Sequence, residues 1–193
     1  LVTGSTVDLV ETILHEMTHT TLYVKGQGEF NEGLAVLVGK VGAFHFLKKT
    51  VGPAHPLTLK AQKSIEDERL FSPFLKALLE KLKHLYDSPI NYQAKLIERE
   101  EIFARSLEEF NSLKNSFQTD HFTRFGTAKL NNAYLMSVGL YHENFLLFES
   151  VLEKIAGMNT LEVSIEANPE SLTPEWLEHM RAAGVNRLSI GIQ

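Results

Sequence analysis

Apolar residues at Val10, Ile13, Leu14 and Met17 recur at helical spacing. Ser5-x-x-Asp8 just ahead of them reads as a capping-box variant, with Asp8 favourably placed in the first turn. Gln27-Gly28 marks a turn, and Asn31 is the expected cap of a second helix running to about Lys48. On that helix Glu32, Ala35, Val36, Gly39 and Ala43 share one face, and a face so small in side chains allows a partner helix to come close. A Pro/Gly loop follows at 50–56, "TVGPAHP", with His55 read as a loop residue. Residues 57–87 pattern as one or two helices, interrupted around Ser72-Pro73, with an apolar stripe at Phe74, Leu75, Leu78, Leu79, Leu82 and Leu85. The segment "NYQAKLIEREEIFARSLEEFNSL" continues as a charged helix whose Glu-Arg-Glu-Glu run reads as a solvated face. Another helix is expected from about Asn131, carrying Tyr134, Tyr141 and His142.

Near residue 158 the pattern changes. "TLEVSIEAN" alternates as a strand does. "PESLTPEWLEHMRAAG" reads as a helix capped by Thr173, with Pro174 at its first position and Gly184 closing it. "VNRLSIGIQ" is a second strand. The expectation is a mainly α fragment over 1–157 followed by a βαβ fragment over 158–193, which belongs to a parallel sheet. One such unit cannot bury both of its faces by itself.

Composition narrows the function classes. The 193 residues are 44% hydrophobic and 22% charged, with a formal net charge of -5. Without a Lys/Arg block, nothing in the chain calls for nucleic acid. No apolar run reaches the ~20 residues that a membrane-spanning helix needs. The absence of cysteine excludes disulfides, thiolate zinc sites and a cysteine-bound iron–sulfur cluster within the chain. The chain starts without methionine and stops within the apolar alternation "SIGIQ", so both ends read as cut. The sequence carries no mark of oligomeric state or compartment.

The candidate chemistry lies in "LHEMTH", residues 14–19. His15 and His19 are four apart, about 40° around a helix, so both imidazoles can converge on one ion. Glu16 sits about 100° from His15, poorly placed to join the same ligand set but able to reach a water held on a metal. Two neutral nitrogens for Zn²⁺ and a carboxylate for the water's proton are the chemical reason for this order. Glu32 is the candidate third ligand. The plainer alternatives are a solvated helix face for the motif and a first-turn acid favoured by the helix dipole for Glu32. Tyr134 and Tyr141, seven apart, share a helical face; either could donate to a developing oxyanion, and either could equally be a core residue.

These residues resemble the gluzincin class of metallopeptidases. More narrowly, "HEMTHTTLYVKGQGEFNEGLAVLVG" and "LNNAYLMSVGLYHENFLLFESVL" are similar to the bacterial putative aminopeptidase family, over roughly residues 1–157. The resemblance implies a zinc-dependent, aminopeptidase-like peptide hydrolase with His15, His19 and Glu32 as ligands and a peptide as substrate, cut at a free N-terminus; Glu16 is the expected general base, and of the two tyrosines Tyr141 is taken as the catalytic candidate. Members of that family carry a substantial segment ahead of the motif helix, and here only residues 1–14 precede His15.

"EANPESLTPEWLEHMRAAGVNRLSIGIQ" resembles a different family, the oxygen-independent coproporphyrinogen III oxidase-like radical S-adenosylmethionine enzymes. The matching motif positions are Glu166, Asn168, Pro169, Arg187, Ser189, Gly191 and Gln193. In a complete barrel some of them would line the pocket for S-adenosylmethionine or substrate. The cysteine triad of that family is missing, so this strip alone implies no radical chemistry. A composite chain, or a non-catalytic metal-binding remnant, are the readings beside the peptidase.

Overall fold

The computed structural model describes residues 4–127, 129–156, 164–167, 172–182, 185 and 187–190. The described chain is mainly helical. Its elements are α1 (Thr6–Thr21), α2 (Gly28–Thr50), α3 (Pro56–Asp87), α4 (Tyr92–Lys114), α5 (Asn132–His142), α6 (Phe145–Ala156), β1 (Ser164–Ala167), α7 (Pro174–Ala182) and β2 (Arg187–Ile190). The chain divides into two compact units, Leu1–Ser150 and Val151–Gln193.

Local sequence chemistry sets most of the helix ends in the first unit. Ser5 and Asp8 form a reciprocal capping box at the start of α1: the Ser5 N–H donates to Asp8 Oδ2 at 2.6 Å, and the Asp8 N–H donates to Ser5 Oγ at 3.4 Å. Gly26, with φ at 78°, makes the turn towards α2 in a conformation that suits a residue without Cβ. His55 caps α3 through Nδ1, which accepts from the Leu57 N–H at 3.2 Å, and Pro56 follows at a position where no N–H is needed. Asn91 and Asn131 cap α4 and α5 in the same way.

Two expected boundaries move. α2 starts at Gly28, so Asn31 lies inside its first turn and is not the cap. Its side-chain amide does other work: Oδ1 accepts from the Val24 N–H, and Nδ2 donates to the Val24 carbonyl, each at 2.8 Å. That pairing gives the α1–α2 connection a partner for backbone groups that a loop would otherwise leave unsatisfied. The break expected at Ser72-Pro73 is also absent, because α3 runs through Pro73 without ending. A proline costs the helix one hydrogen bond, but Phe71, Leu75, Leu78 and Leu82 on either side all bury against neighbours. Each such side chain contributes roughly 1.5–3 kcal/mol, which outweighs the local penalty.

The main core is built on α3. Phe71, Leu75, Leu78 and Leu82 pack with Phe103 and Phe110 of α4, Leu135 of α5, and Phe122, Phe125 and Leu130 from the segment between α4 and α5. Phe71 is fully buried and stacks on Phe122 with ring centroids 4.0 Å apart. Asp67, also fully buried, holds the start of that segment by accepting from the Gln118 and Thr119 N–H groups at 2.7 and 2.8 Å and from the Thr119 hydroxyl at 2.6 Å. Two smaller clusters flank α2. Val36 and Leu37 meet Ile65 and Phe145, and Leu47 meets Val7 and Ala61.

In the second unit β1 and β2 pair in parallel, with α7 between them in the chain. The register sets Ser164 opposite Arg187, Ile165 opposite Leu188, Glu166 opposite Ser189 and Ala167 opposite Ile190. Thr173 caps α7 by accepting from the Trp176 N–H at 3.1 Å. Gly184 lies outside the described residues.

The phenylalanine cluster generates a stability test. Phe71→Ala removes the ring at the centre of the main core and is expected to cost about 3–5 kcal/mol. Chemical denaturation followed by far-UV circular dichroism measures it. A loss under about 1 kcal/mol would show that α3 is not the spine of the core.

Candidate metal centre

His15 and His19 project from successive turns of α1 towards Glu32, just past the first turn of α2. Their Nε2 atoms stand 3.1 Å apart, and Glu32 Oε2 lies 3.2 Å from the first and 3.5 Å from the second. All three side chains are partly buried, and among the described residues they form the one group of histidine and carboxylate atoms close enough to share an ion.

The triangle can be tested against zinc geometry. Ligand atoms about 2.0–2.2 Å from a tetrahedral ion stand about 3.3–3.6 Å from one another. The three separations match within a few tenths of an ångström. The donor set also fits: two neutral imidazole nitrogens and one carboxylate leave the fourth position open. One feature departs from the usual pattern, in which a ligating histidine gives its second nitrogen to an acceptor. His19 Nδ1 is buried with no hydrogen-bond partner among the described residues.

The small face of α2 brings the three side chains together. A Cβ added at Gly39 would sit 2.8 Å from the Glu11 carbonyl oxygen and 3.5 Å from His15 Cβ. The backbones therefore meet there with no side chain between them. Ala35 and Ala43, one turn to either side, are fully buried.

Glu16 is exposed beside this triangle and helps line a cavity of about 300 Å³. Glu11, Thr12, His15, Gly39, Lys40, His121, Tyr141 and His142 contribute to the same wall. The Tyr141 ring lies 6.2 Å from the His15 ring. Its hydroxyl is pushed above the usual phenol range by burial, with the charges of Glu32 and Glu16 adding to the effect. Tyr134 turns elsewhere and packs against Phe125 at 5.8 Å. Of the two candidate tyrosines, the fold brings only Tyr141 to the cavity.

A set of buried charges behind the cavity was not anticipated from sequence. Glu68 is fully buried and Lys40 is 4% exposed. The Lys40 ammonium donates to Ser64 Oγ at 2.7 Å and to Glu11 Oε2 at 3.4 Å, and lies 3.5 Å from Glu68 Oε2. On its other oxygen Glu68 accepts from His142 Nδ1 at 2.6 Å. Burial alone would raise the Glu68 carboxyl, but the charges of His142 and Lys40 and the hydrogen bond from His142 outweigh it, so its pKa falls below the ordinary 4.5. An ionised carboxylate only accepts, so the hydrogen in this bond belongs to Nδ1 and the His142 ring is fixed in orientation. His121 is lowered to about 4 by desolvation and by the nearby Lys40 ammonium, so it is neutral at pH 7.

The candidates from the C-terminal strip belong to the second unit. Asn168, Pro169, Gly191 and Gln193 lie outside the described residues. Glu166 and Ser189 are register partners on β1 and β2, and Arg187 opens β2 opposite Ser164.

Comparison with known proteins returns one finding. The family model described as "Putative aminopeptidase" matches residues 1–163. No curated protein and no solved structure matches the chain.

The buried charges set a pH dependence. The folded-state pKa of Glu68 lies below its unfolded value, so its contribution to stability is complete above about pH 4.5 and is lost as pH falls through the lower, folded value. The groups that face it are Lys40, His142 and, at longer range, His121. Glu68→Gln should destabilise the fold at pH 7 by about 3–5 kcal/mol, because it leaves the Lys40 ammonium short of countercharge in the interior. It should also flatten the acid limb of a plot of unfolding free energy against pH. An unchanged acid limb in the variant would remove Glu68 as its source.

Proposed function

The chain belongs to the Putative aminopeptidase family, and on that footing we propose that it is a zinc-dependent peptide hydrolase of the gluzincin type. The observation that carries this reading is the triangle of His15, His19 and Glu32, whose edges suit a tetrahedral ion. A zinc ion held there would supply a Lewis acid for the substrate carbonyl and lower the pKa of its water.

The side chains around the triangle divide the remaining work. Glu16 is adjacent to the ligands, is exposed and lines the cavity. Its carboxylate takes a proton from the attacking water and delivers it to the departing amine nitrogen. Tyr141, held in its protonated form by burial and by Glu32 and Glu16, can donate its hydroxyl hydrogen to the oxygen that gains charge as the carbonyl is attacked. The site residues belong to one unit, so the geometry depends on the α1–α2 contact and on α5 behind it. Among the described residues no helix is long and apolar enough to cross a membrane.

Three substitutions separate these roles. His19→Ala should abolish stoichiometric zinc uptake, read by metal analysis of the purified chain. Glu16→Gln should keep the metal and lower peptide hydrolysis by about 10²–10⁴-fold. Loss of zinc from Glu16→Gln would make Glu16 a ligand and overturn the assignment. Tyr141→Phe should keep both metal and fold and lower kcat by about 10²-fold, as expected when one oxyanion donor is removed. If kcat is unchanged while KM rises, Tyr141 binds substrate without acting on the oxyanion.

A further inference from the structure

A second cavity, of about 460 Å³, opens between the start of α1, the N-terminal third of α3 and the segment that follows α4. Asp8, Lys60, Ser64, Asp120 and Arg124 all contribute to its wall, and none of them has a part in the metal centre. It meets the metal cavity at His121, which lines both.

Hydrogen-bond donors decide what this cavity can hold. Ser64 is 7% exposed, and its Oγ accepts from the Lys40 ammonium at 2.7 Å. That bond leaves the hydroxyl hydrogen to be given elsewhere, and a hydroxyl that accepts from an ammonium is polarised into a stronger donor. Lys60 spends one of its three hydrogens on Ser5 Oγ at 2.9 Å. It stands four residues before Ser64 on the same face of α3. Arg124, exposed on the segment after α4, adds the five hydrogens of a guanidinium. The Thr119 and Thr123 hydroxyls are already committed, to Asp67 and to the Asp120 carbonyl. Two carboxylates oppose these donors. Asp8 Oδ2 accepts from the Ser5 N–H at 2.6 Å, and its place in the first turn sets the positive end of α1 against its charge. Asp120 is exposed and is the carboxylate left to oppose an anion. His121, with its pKa lowered to about 4, is neutral at pH 7 and adds no charge.

We propose that this cavity is an oxyanion site, in which Lys60 and Arg124 supply charge and Ser64 a directed hydrogen bond. A carboxylate or a phosphate has the several acceptor oxygens that such a set of donors requires. Two sources carry that chemistry: the terminal carboxylate of a peptide that extends past His121 from the metal cavity, and free phosphate. The site needs no metal, so it stands or falls independently of the hydrolytic reading.

The test is equilibrium binding by calorimetry on the full-length, metal-free protein, which cannot hold an anion through zinc. Three probes are used: inorganic phosphate, N-acetyl-trialanine with its free carboxylate, and the C-terminal amide of the same peptide. Phosphate or the free-acid peptide should bind about ten-fold to a hundred-fold more tightly than the amide, the scale of one hydrogen bond to a charged group. Preference for the free-acid peptide assigns the site to a peptide terminus, and binding of phosphate alone assigns it to free phosphate; both support an oxyanion site. Arg124→Gln and Lys60→Gln should each weaken the bound probe by a similar factor while helical content stays unchanged. Asp120→Asn, which removes the opposing charge from an exposed position, should tighten it. Absence of binding by all three probes, equal binding of the amide, affinity that survives both Arg124→Gln and Lys60→Gln, or weaker binding in Asp120→Asn each overturns the proposal. The comparison of probes needs no variant, so a variant that fails to fold leaves the test intact.

Discussion

The approach of α2 to α1 at Gly39 governs the geometry of everything around it. Helices separated by ordinary side chains pack with axes about 8–10 Å apart. At that distance a short carboxylate on one helix does not easily meet two imidazoles on the other. Here the Gly39 backbone lies against the Glu11 carbonyl, with room for no side chain, and the result is a triangle with edges of 3.1, 3.2 and 3.5 Å. Glu32 and Gly39 are seven residues apart, two turns along one face. The position that allows the contact and the position that uses it are therefore linked by the helix itself.

Such close packing leaves α2 with a lysine it cannot expose. Lys40 follows Gly39 directly and is turned into the interior, where it is enclosed by Ser64 and Glu68 of α3 and Glu11 of α1. A buried pair of this kind gains little net stability, since the desolvation of each charge offsets most of the attraction. Its effect is on arrangement. The Lys40 network ties three helices by hydrogen bonds that tolerate little displacement, and through Glu68 it fixes the His142 ring on a fourth. The cavity beside the His15/His19/Glu32 triangle thus has Lys40 and His142 in its wall, both held by the same buried carboxylate.

Legibility in the sequence followed how local each cause is. The capping of α1 by Ser5 and Asp8, the convergence of His15 and His19, and the small face carrying Glu32 depend on neighbours within a turn or two, and the helical period displays them directly. Lys40 had a readable sign that went unused: it is the only charged residue between Glu32 and Lys48, and a single lysine inside an apolar helical stretch must find a buried partner. Glu68 had no such sign. It stands in "SIEDERL", a string that looks like a solvated face, and its burial depends on α2 and α5 crossing α3 at that point. The continuity of α3 through Pro73 was hidden for a related reason, because the local rule against proline was overridden by core contacts with α4 and α5. Asn31 was misread as a cap because a cap and a side-chain bridge to Val24 call for the same residue.

The change of pattern late in the chain bears on which residues the function can depend on. The family match ends at residue 163, and β1 begins at Ser164. Upstream of that point the described regular elements are helices whose apolar stripes bury against one another; downstream come two four-residue strands joined in parallel around α7. Parallel strands are normally covered on both faces, whereas a two-stranded ladder with one helix can cover one face at most. The first unit has no comparable deficit, because its helices enclose a phenylalanine-rich core and provide the metal triangle, the cavity and the buried charges. The shared family character and the candidate chemistry therefore coincide in the helical part of the chain.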